Sequence, residues 1–226
     1  MIPIRDNTIA RGRPVVTWTI IGLNVLIYLW DRHGHITGPS VTFADLTLRP
    51  YDVVMSIEGH EPKFALVTIL TSMFMHANLL HIVGNMLFLL VFGPAIEQAL
   101  RSPRYALYYL AWGVVAAGAH IFVYPHSEVP VLGASGAIGG VLGAYLLLFP
   151  GNKVEIFVPL LAFLTFEVSA WVLLGLWFVY QIAAPQQGVA NWAHIGGFLA
   201  GMLTVLVMGG RAAVLKGREE EFEHDL

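Results

Sequence analysis

"VLGASGAIGGVLGAYLLLF", residues 131–149, sets a single serine, Ser135, among small residues at the head of an apolar run. Gly136 and Gly140, and again Gly139 and Gly143, lie four apart. On a helix that spacing makes a bare face on which a second backbone can lie closely. A serine in such a place is either a small packing residue or a nucleophile held where water is scarce. The rest of the chain decides between them.

The 226 residues are 57% hydrophobic and 12% charged. That is about half the charged share of a soluble domain, so apolar runs set the class. The formal net charge of −3 offers nothing to a nucleic acid. There is no cysteine, which excludes disulfides, thiolate metal sites and a cysteine nucleophile. No metal or cofactor motif is present; HExxH in particular is missing.

A spanning helix needs about 20 mostly apolar residues. Stretches 15–30, 79–100, 105–124, 132–149, about 168–184 and 191–208 qualify with their flanks. These predict an all-α membrane protein of six helices, residues 15–208, with a short segment 1–14 before it and a charged tail 209–226 after it. Arg5, Arg11 and Arg13 precede the first run, and Asp31 and Arg32 follow it in place of a small-residue cleavage site. We read a retained span, not a removed signal. Residues 31–71 form a long, polar, proline-broken first loop, too long for a plain connection. Residues 101–104 read as a tight basic turn. Residues 154–166 are ambiguous: an interfacial segment, or part of one long tilted helix.

Nine of the twelve basic residues fall on one side: Arg5, Arg11, Arg13, Arg101, Arg104, Lys153, Arg211, Lys216 and Arg218. The positive-inside rule puts both termini in the cytoplasm, in the plasma (inner) membrane of a prokaryotic cell on this reading. Spans two, four and six then run the same way. Their first turns carry His81 and Asn85, Ser135, and His194 to a similar depth near the outer face. Each alone has a plain structural reading, as packing, interhelical glue or interfacial histidine. Four together at one depth do not.

If Gly197 and Gly201 of span six lie on the glycine face of span four, Ser135 and His194 come within hydrogen-bond reach, the arrangement that activates a hydroxyl. Asn85, His81 and the Ser135 backbone N–H at a helix N-terminus are the donors available to an oxyanion. A membrane substrate must reach the site sideways. Span five, with Trp177 and Phe178, is the candidate gate, its rings packing toward span two beside Gly84; an interfacial aromatic belt is the plain alternative.

These blocks, "HANLLHIVGN" (76–85), "FGPAIE" (92–97), "GASGAIGG" (133–140) and "AHIGGFLAG" (193–201), resemble the rhomboid family of intramembrane serine proteases. The resemblance implies that Ser135 and His194 form a catalytic dyad without a third acid, that Asn85 and His81 assist the oxyanion, and that Gly133 and Gly136 support the serine block. It implies a structural place for His76, and substrates that are membrane proteins with a transmembrane helix. Two departures stand out. No Trp-Arg pair occurs in the first loop, and Gly139 occupies a position where some members place a tyrosine that stacks on the histidine, so what orients His194 is open. The soluble-hydrolase elbow GxSxG does not fit, since Ala137 replaces its second glycine. A catalytically idle relative that binds and escorts membrane helices is the competing expectation. Neither substrate identity nor oligomeric state is legible.

Overall fold

Residues 2–7, 12–33, 46–60, 62–158, 164–184, 188–217 and 222 are described by a computed structural model. Expectations for residues 34–45 of the first loop, for the 185–187 connection and for most of the tail lie outside them. In chain order the elements are β1 (Ile2–Asp6), α1 (Val15–Asp31), α2 (Pro50–Ile57), α3 (Phe64–Thr71) with a 3-10 turn Ser72–Phe74, α4 (Leu79–Leu100), α5 (Ser102–Val123), α6 (Ser135–Leu148), β2 (Lys153–Val158), β3 (Leu164–Ser169), α7 (Ala170–Ala183), α8 (Asn191–Val207) and α9 (Gly210–Val214).

Helix α1 shows what solvent the bundle is built for. It buries Thr17, Ile20, Asn24, Tyr28 and Asp31, a single stripe at spacings of three and four. Its outer face exposes Val15, Trp18, Leu23, Leu26 and Trp30. Polar residues inside and large apolar ones outside invert the soluble pattern and suit a lipid environment. The α1 start is held by Glu97 of α4, whose carboxylate accepts from Val16 N (2.9 Å), Thr17 N (2.7 Å) and Thr17 Oγ1 (2.8 Å). One side chain thus satisfies helix-start donors that have no intrahelical acceptor.

Helices α4 and α5, of 22 residues each, are long and apolar enough to cross a membrane. The four-residue turn expected between them shrinks to one residue: α5 begins at Ser102, and Arg101 alone reverses the chain with φ 67°. The other expected spans carry shorter apolar helices of 17 (α1), 14 (α6), 14 (α7) and 17 (α8) residues.

Helix α6 is the centre. Residues 136–145 are all buried, enclosed by α8, α5 and α4. Its glycines explain the closeness. A Cβ on Gly197 would collide with the Gly136 carbonyl oxygen, one on Gly201 with that of Gly140, and one on Gly143 with that of Phe198. The two backbones touch, as the glycine spacing predicts. Helix α7 is the opposite case: Ala170, Leu174 and Gln181 are its buried residues, and it forms an outer wall.

The all-α expectation is corrected by a small antiparallel sheet in the order β1-β2-β3. Strands β2 and β3 cross the stretch 154–166, which excludes the single tilted helix, with residues 159–163 between them outside the described set. The signal was present in "KVEIFV": Val154 and Ile156 point into the core while Lys153 is exposed, the period-2 pattern of a half-buried strand. High apolar content masked it. The partner strand is the N-terminal segment itself, pairing Ile2 with Phe157 and Asp6 with Val154, and Tyr145 Oη donates to Asp6 Oδ2 at 2.6 Å. At the other terminus Phe222 packs on Phe149, ring centroids 5.1 Å apart.

Candidate active site

A 14-residue helix is about 21 Å long, short of the roughly 30 Å hydrocarbon core. Ser135 is the first residue of α6, and loop 124–134 leads down to it. Such irregular backbone needs partners, and the first loop supplies them. Leu48 and Val131 exchange backbone hydrogen bonds of 3.0 and 2.7 Å, Tyr51 N donates to Ser127 O (3.0 Å), and Gly133 N donates to Ser72 O (2.8 Å). The nucleophile candidate thus starts a helix whose first donors are uncapped: Ala134, at the N-cap, contributes no side-chain bond.

Ser135 Oγ lies 2.8 Å from His194 Nε2. His194 is one turn into α8, and the glycine contact of α6 with α8 holds the two residues together. Gly139 has its own reason here. A Cβ at this position would stand 2.9 Å from His194 O and 3.2 Å from Phe198 N, so a tyrosine cannot be accommodated without separating the helices.

The residue on the far side of the imidazole was missed from sequence. Gln181 of α7 places Oε1 2.8 Å from His194 Nδ1 and 3.0 Å from Asn191 Nδ2. A lone amide in an apolar run was the one hint in the sequence, and it names no partner. Trp177 adds a ring 5.9 Å from the His194 ring and equally far from Phe198, and Phe178 stacks on Phe198 at 4.6 Å. The rings were expected to pack toward α4 beside Gly84; the ring contacts they make are with His194 and Phe198 of α8.

His81 and Asn85 lie across from the dyad candidates. Gly133 has φ +118°, a conformation glycine tolerates, and a Cβ there would sit 2.7 Å from His81 Nε2 and 3.5 Å from Asn85 Nδ2. The side chains of His81 and Asn85 therefore lie against the backbone just before Ser135. Gly136 faces Ala116 of α5, where a Cβ would approach to 2.7 Å. His81, Asn85, Ser135 and His194 all line one cavity of about 590 Å³, together with Ser127 and Val129.

His76 is brought in by a buried scaffold. Its Nε2 is 2.9 Å from Asn85 Nδ2, and the amide donates to the ring nitrogen. Arg32 holds the segment: buried beside Asp31, it donates to His76 O (2.9 Å) and Ala77 O (2.7 Å), with its guanidinium 3.9 Å over the Tyr28 ring. In sequence Arg32 read only as a charge ending a span.

Burial, with smaller contributions from the nearby His81 and Arg32, pushes His76 down to about 3 from its ordinary 6.5. His76 therefore stays neutral and keeps accepting from Asn85. Between these two values the folded protein binds fewer protons than the unfolded chain, so stability falls as pH falls from about 6.5 toward 3. The thermal unfolding midpoint in detergent is expected to drop from pH 7.5 to pH 5, and His76→Gln to drop less. An equal drop in both would refute the assignment.

The fold and site define a helical membrane bundle with a hydroxyl–imidazole pair lining a cavity. A Rhomboid domain matches residues 63–211, most of the chain. The chain is 27% identical over 88% of its length to the rhomboid protease GluP of Bacillus subtilis, covering 36% of that protein. It is 32% identical over 85% of its length to the mitochondrial rhomboid protein 1 of Saccharomyces cerevisiae, covering 63%, and 32% identical over 88% to YdcA, a rhomboid of Bacillus subtilis, covering 92%. The chain belongs to the rhomboid family. It spans about a third of GluP and under two thirds of the yeast protein.

Proposed function

We propose that this protein is an intramembrane serine protease that cleaves peptide bonds in or near transmembrane segments of membrane proteins. The observation that carries the reading is the 2.8 Å approach of His194 Nε2 to Ser135 Oγ in a cavity also lined by Asn85 and His81. Family membership, with a named protease among the relatives, supports it.

Ser135 Oγ attacks the scissile carbonyl carbon while its proton passes to His194 Nε2. The C–O bond forms and the carbonyl electrons move onto oxygen. Asn85 Nδ2, His81 and the Ser135 N–H are the donors for that charge. The tetrahedral carbon collapses, the C–N bond breaks and His194 returns the proton to the leaving amine. Water then repeats the sequence on the acyl-enzyme. The attacked segment must be extended, since a helix encloses its own carbonyls. Gly133 and Gly136 keep the serine turn tight against α4 and α5. A substrate helix gains access past α7, the proposed movable wall, with Trp177 and Phe178 as the rings that close it onto α8.

The reading places six spans in the bilayer, with residues 1–14 and the tail beyond 208 on the cytoplasmic side and the cavity facing out. A cysteine at Ser127 is expected to react with an impermeant thiol reagent from outside, and one at Ser102 is not; the reverse pattern refutes the topology. For the chemistry, a fluorophosphonate probe is expected to label the wild type and not Ser135→Ala. Equal labelling of the two, or none in the wild type, would favour an idle helix-binding protein.

A further inference from the structure

A base can take a proton from Ser135 only through an unprotonated Nε2. Neutral imidazole carries one N–H, and either nitrogen can hold it. A dyad alone does not decide which. We propose that Gln181 is the positioning residue that decides it, by holding the His194 proton on Nδ1. This rests on the protease reading above.

The carboxamide oxygen of Gln181 accepts and cannot donate. At 2.8 Å from Nδ1 it is satisfied by an N–H there, which leaves Nε2 with its lone pair directed at Ser135 Oγ, also at 2.8 Å. The serine hydroxyl then donates to Nε2, which is the reactive arrangement. With Asn191 oriented as observed, the second bond to Gln181 sets the orientation of the amide. Asn191 Nδ2 donates to the same oxygen at 3.0 Å; turning the Gln181 amide over would set NH2 against NH2. Asn191 and His194 are three apart on α8, so both reach α7 from one face.

Burial gives the amide little alternative. Gln181 is 7% exposed, on a helix that is otherwise mostly outward-facing, and a buried amide left unpaired is costly. When His194 accepts the serine proton, Nδ1–H stays bonded to the same oxygen, and the amide dipole is already aimed at the new charge. The Trp177 ring lies 5.9 Å from the His194 ring, tilted 35° to it, a contact that does not select a tautomer and leaves that to Gln181. The role filled by a carboxylate in a triad falls here to a neutral acceptor on the neighbouring helix.

The test compares Gln181→Met, of similar length without the acceptor, with Gln181→Glu, which keeps it. With a transmembrane substrate, kcat of Gln181→Met is expected to fall at least about tenfold, short of the about 10⁴-fold that a wrong tautomer costs a full triad, with KM little changed. Gln181→Glu should stay within severalfold of wild type. Nitrogen-15 spectra of histidine-labelled protein should show His194 protonated on Nδ1 in wild type and mixed tautomers in Gln181→Met. Should Gln181→Met not fold, Asn191→Ala serves: its freed amide can rotate, so kcat falls severalfold, and adding Gln181→Glu restores it because either carboxylate oxygen accepts. Wild-type kcat in Gln181→Met or Asn191→Ala, or a Gln181→Glu as slow as Gln181→Met, overturns the proposal. An inactive wild type would instead overturn the protease reading itself.

Discussion

Ser135→Ala and His194→Ala are each expected to reduce cleavage of a transmembrane substrate to background while the protein keeps its fold. Both side chains are only partly buried and meet each other across the α6–α8 seam, so truncation opens little volume. The chemistry suffers much more. In a serine–histidine unit, losing either member costs about 10⁶ in kcat, and losing both costs little more, because neither works without the other. The double variant should therefore match the singles. Asn85→Ala, which removes one proposed oxyanion donor, should leave measurable activity, lower by about 10²–10³. The measurement is single-turnover cleavage in detergent micelles, beside thermal unfolding to establish folding. Full activity in Ser135→Ala would end the protease reading, and strict additivity of the two losses would end the coupled dyad.

Gly201→Leu is expected to have the largest effect among residues outside the catalytic cavity. A Cβ on Gly201 meets the oxygen, carbon and Cα of Gly140. These are backbone atoms of α6, which cannot swing aside as a flexible side chain can. Overpacking a core costs about 1–3 kcal/mol even where side chains yield; here two helices must part, so we expect about 3 kcal/mol or more. The same separation pulls Ser135 from His194, which tolerates little misplacement. Unfolding at a much lower temperature together with loss of fluorophosphonate labelling is the expected pair of results. Gly175→Leu, at a position with open space around its Cβ, is the control and should unfold near the wild-type temperature. Wild-type stability in Gly201→Leu would show that the glycine seam is not the contact that sets the site.

The site was legible where its residues stood at helix starts and the glycines declared a packing face. Ser135, His194, Asn85 and His81 each lie in the first two turns of an apolar run, and the four line one cavity. Gln181 was not legible, because it lies near the end of α7, and nothing in a linear pattern says that this end leans on the first turn of α8. Arg32 was hidden for a similar reason: its partners, the carbonyls of His76 and Ala77, lie 44 and 45 positions away.

By itself the sequence determined the apolar helices, their order and the close approach of α6 to α8. These depend on local period, on length and on the absence of side chains at fixed spacing, all written along the chain. Tertiary structure alone decided the rest. It paired the N-terminal segment with β2, because a strand's hydrogen bonds need a partner that the strand does not name. It turned Trp177 and Phe178 toward α8, where Phe198 waits. And it placed one amide oxygen against His194 Nδ1, a choice made only when two helices distant in sequence closed on the same side of the ring.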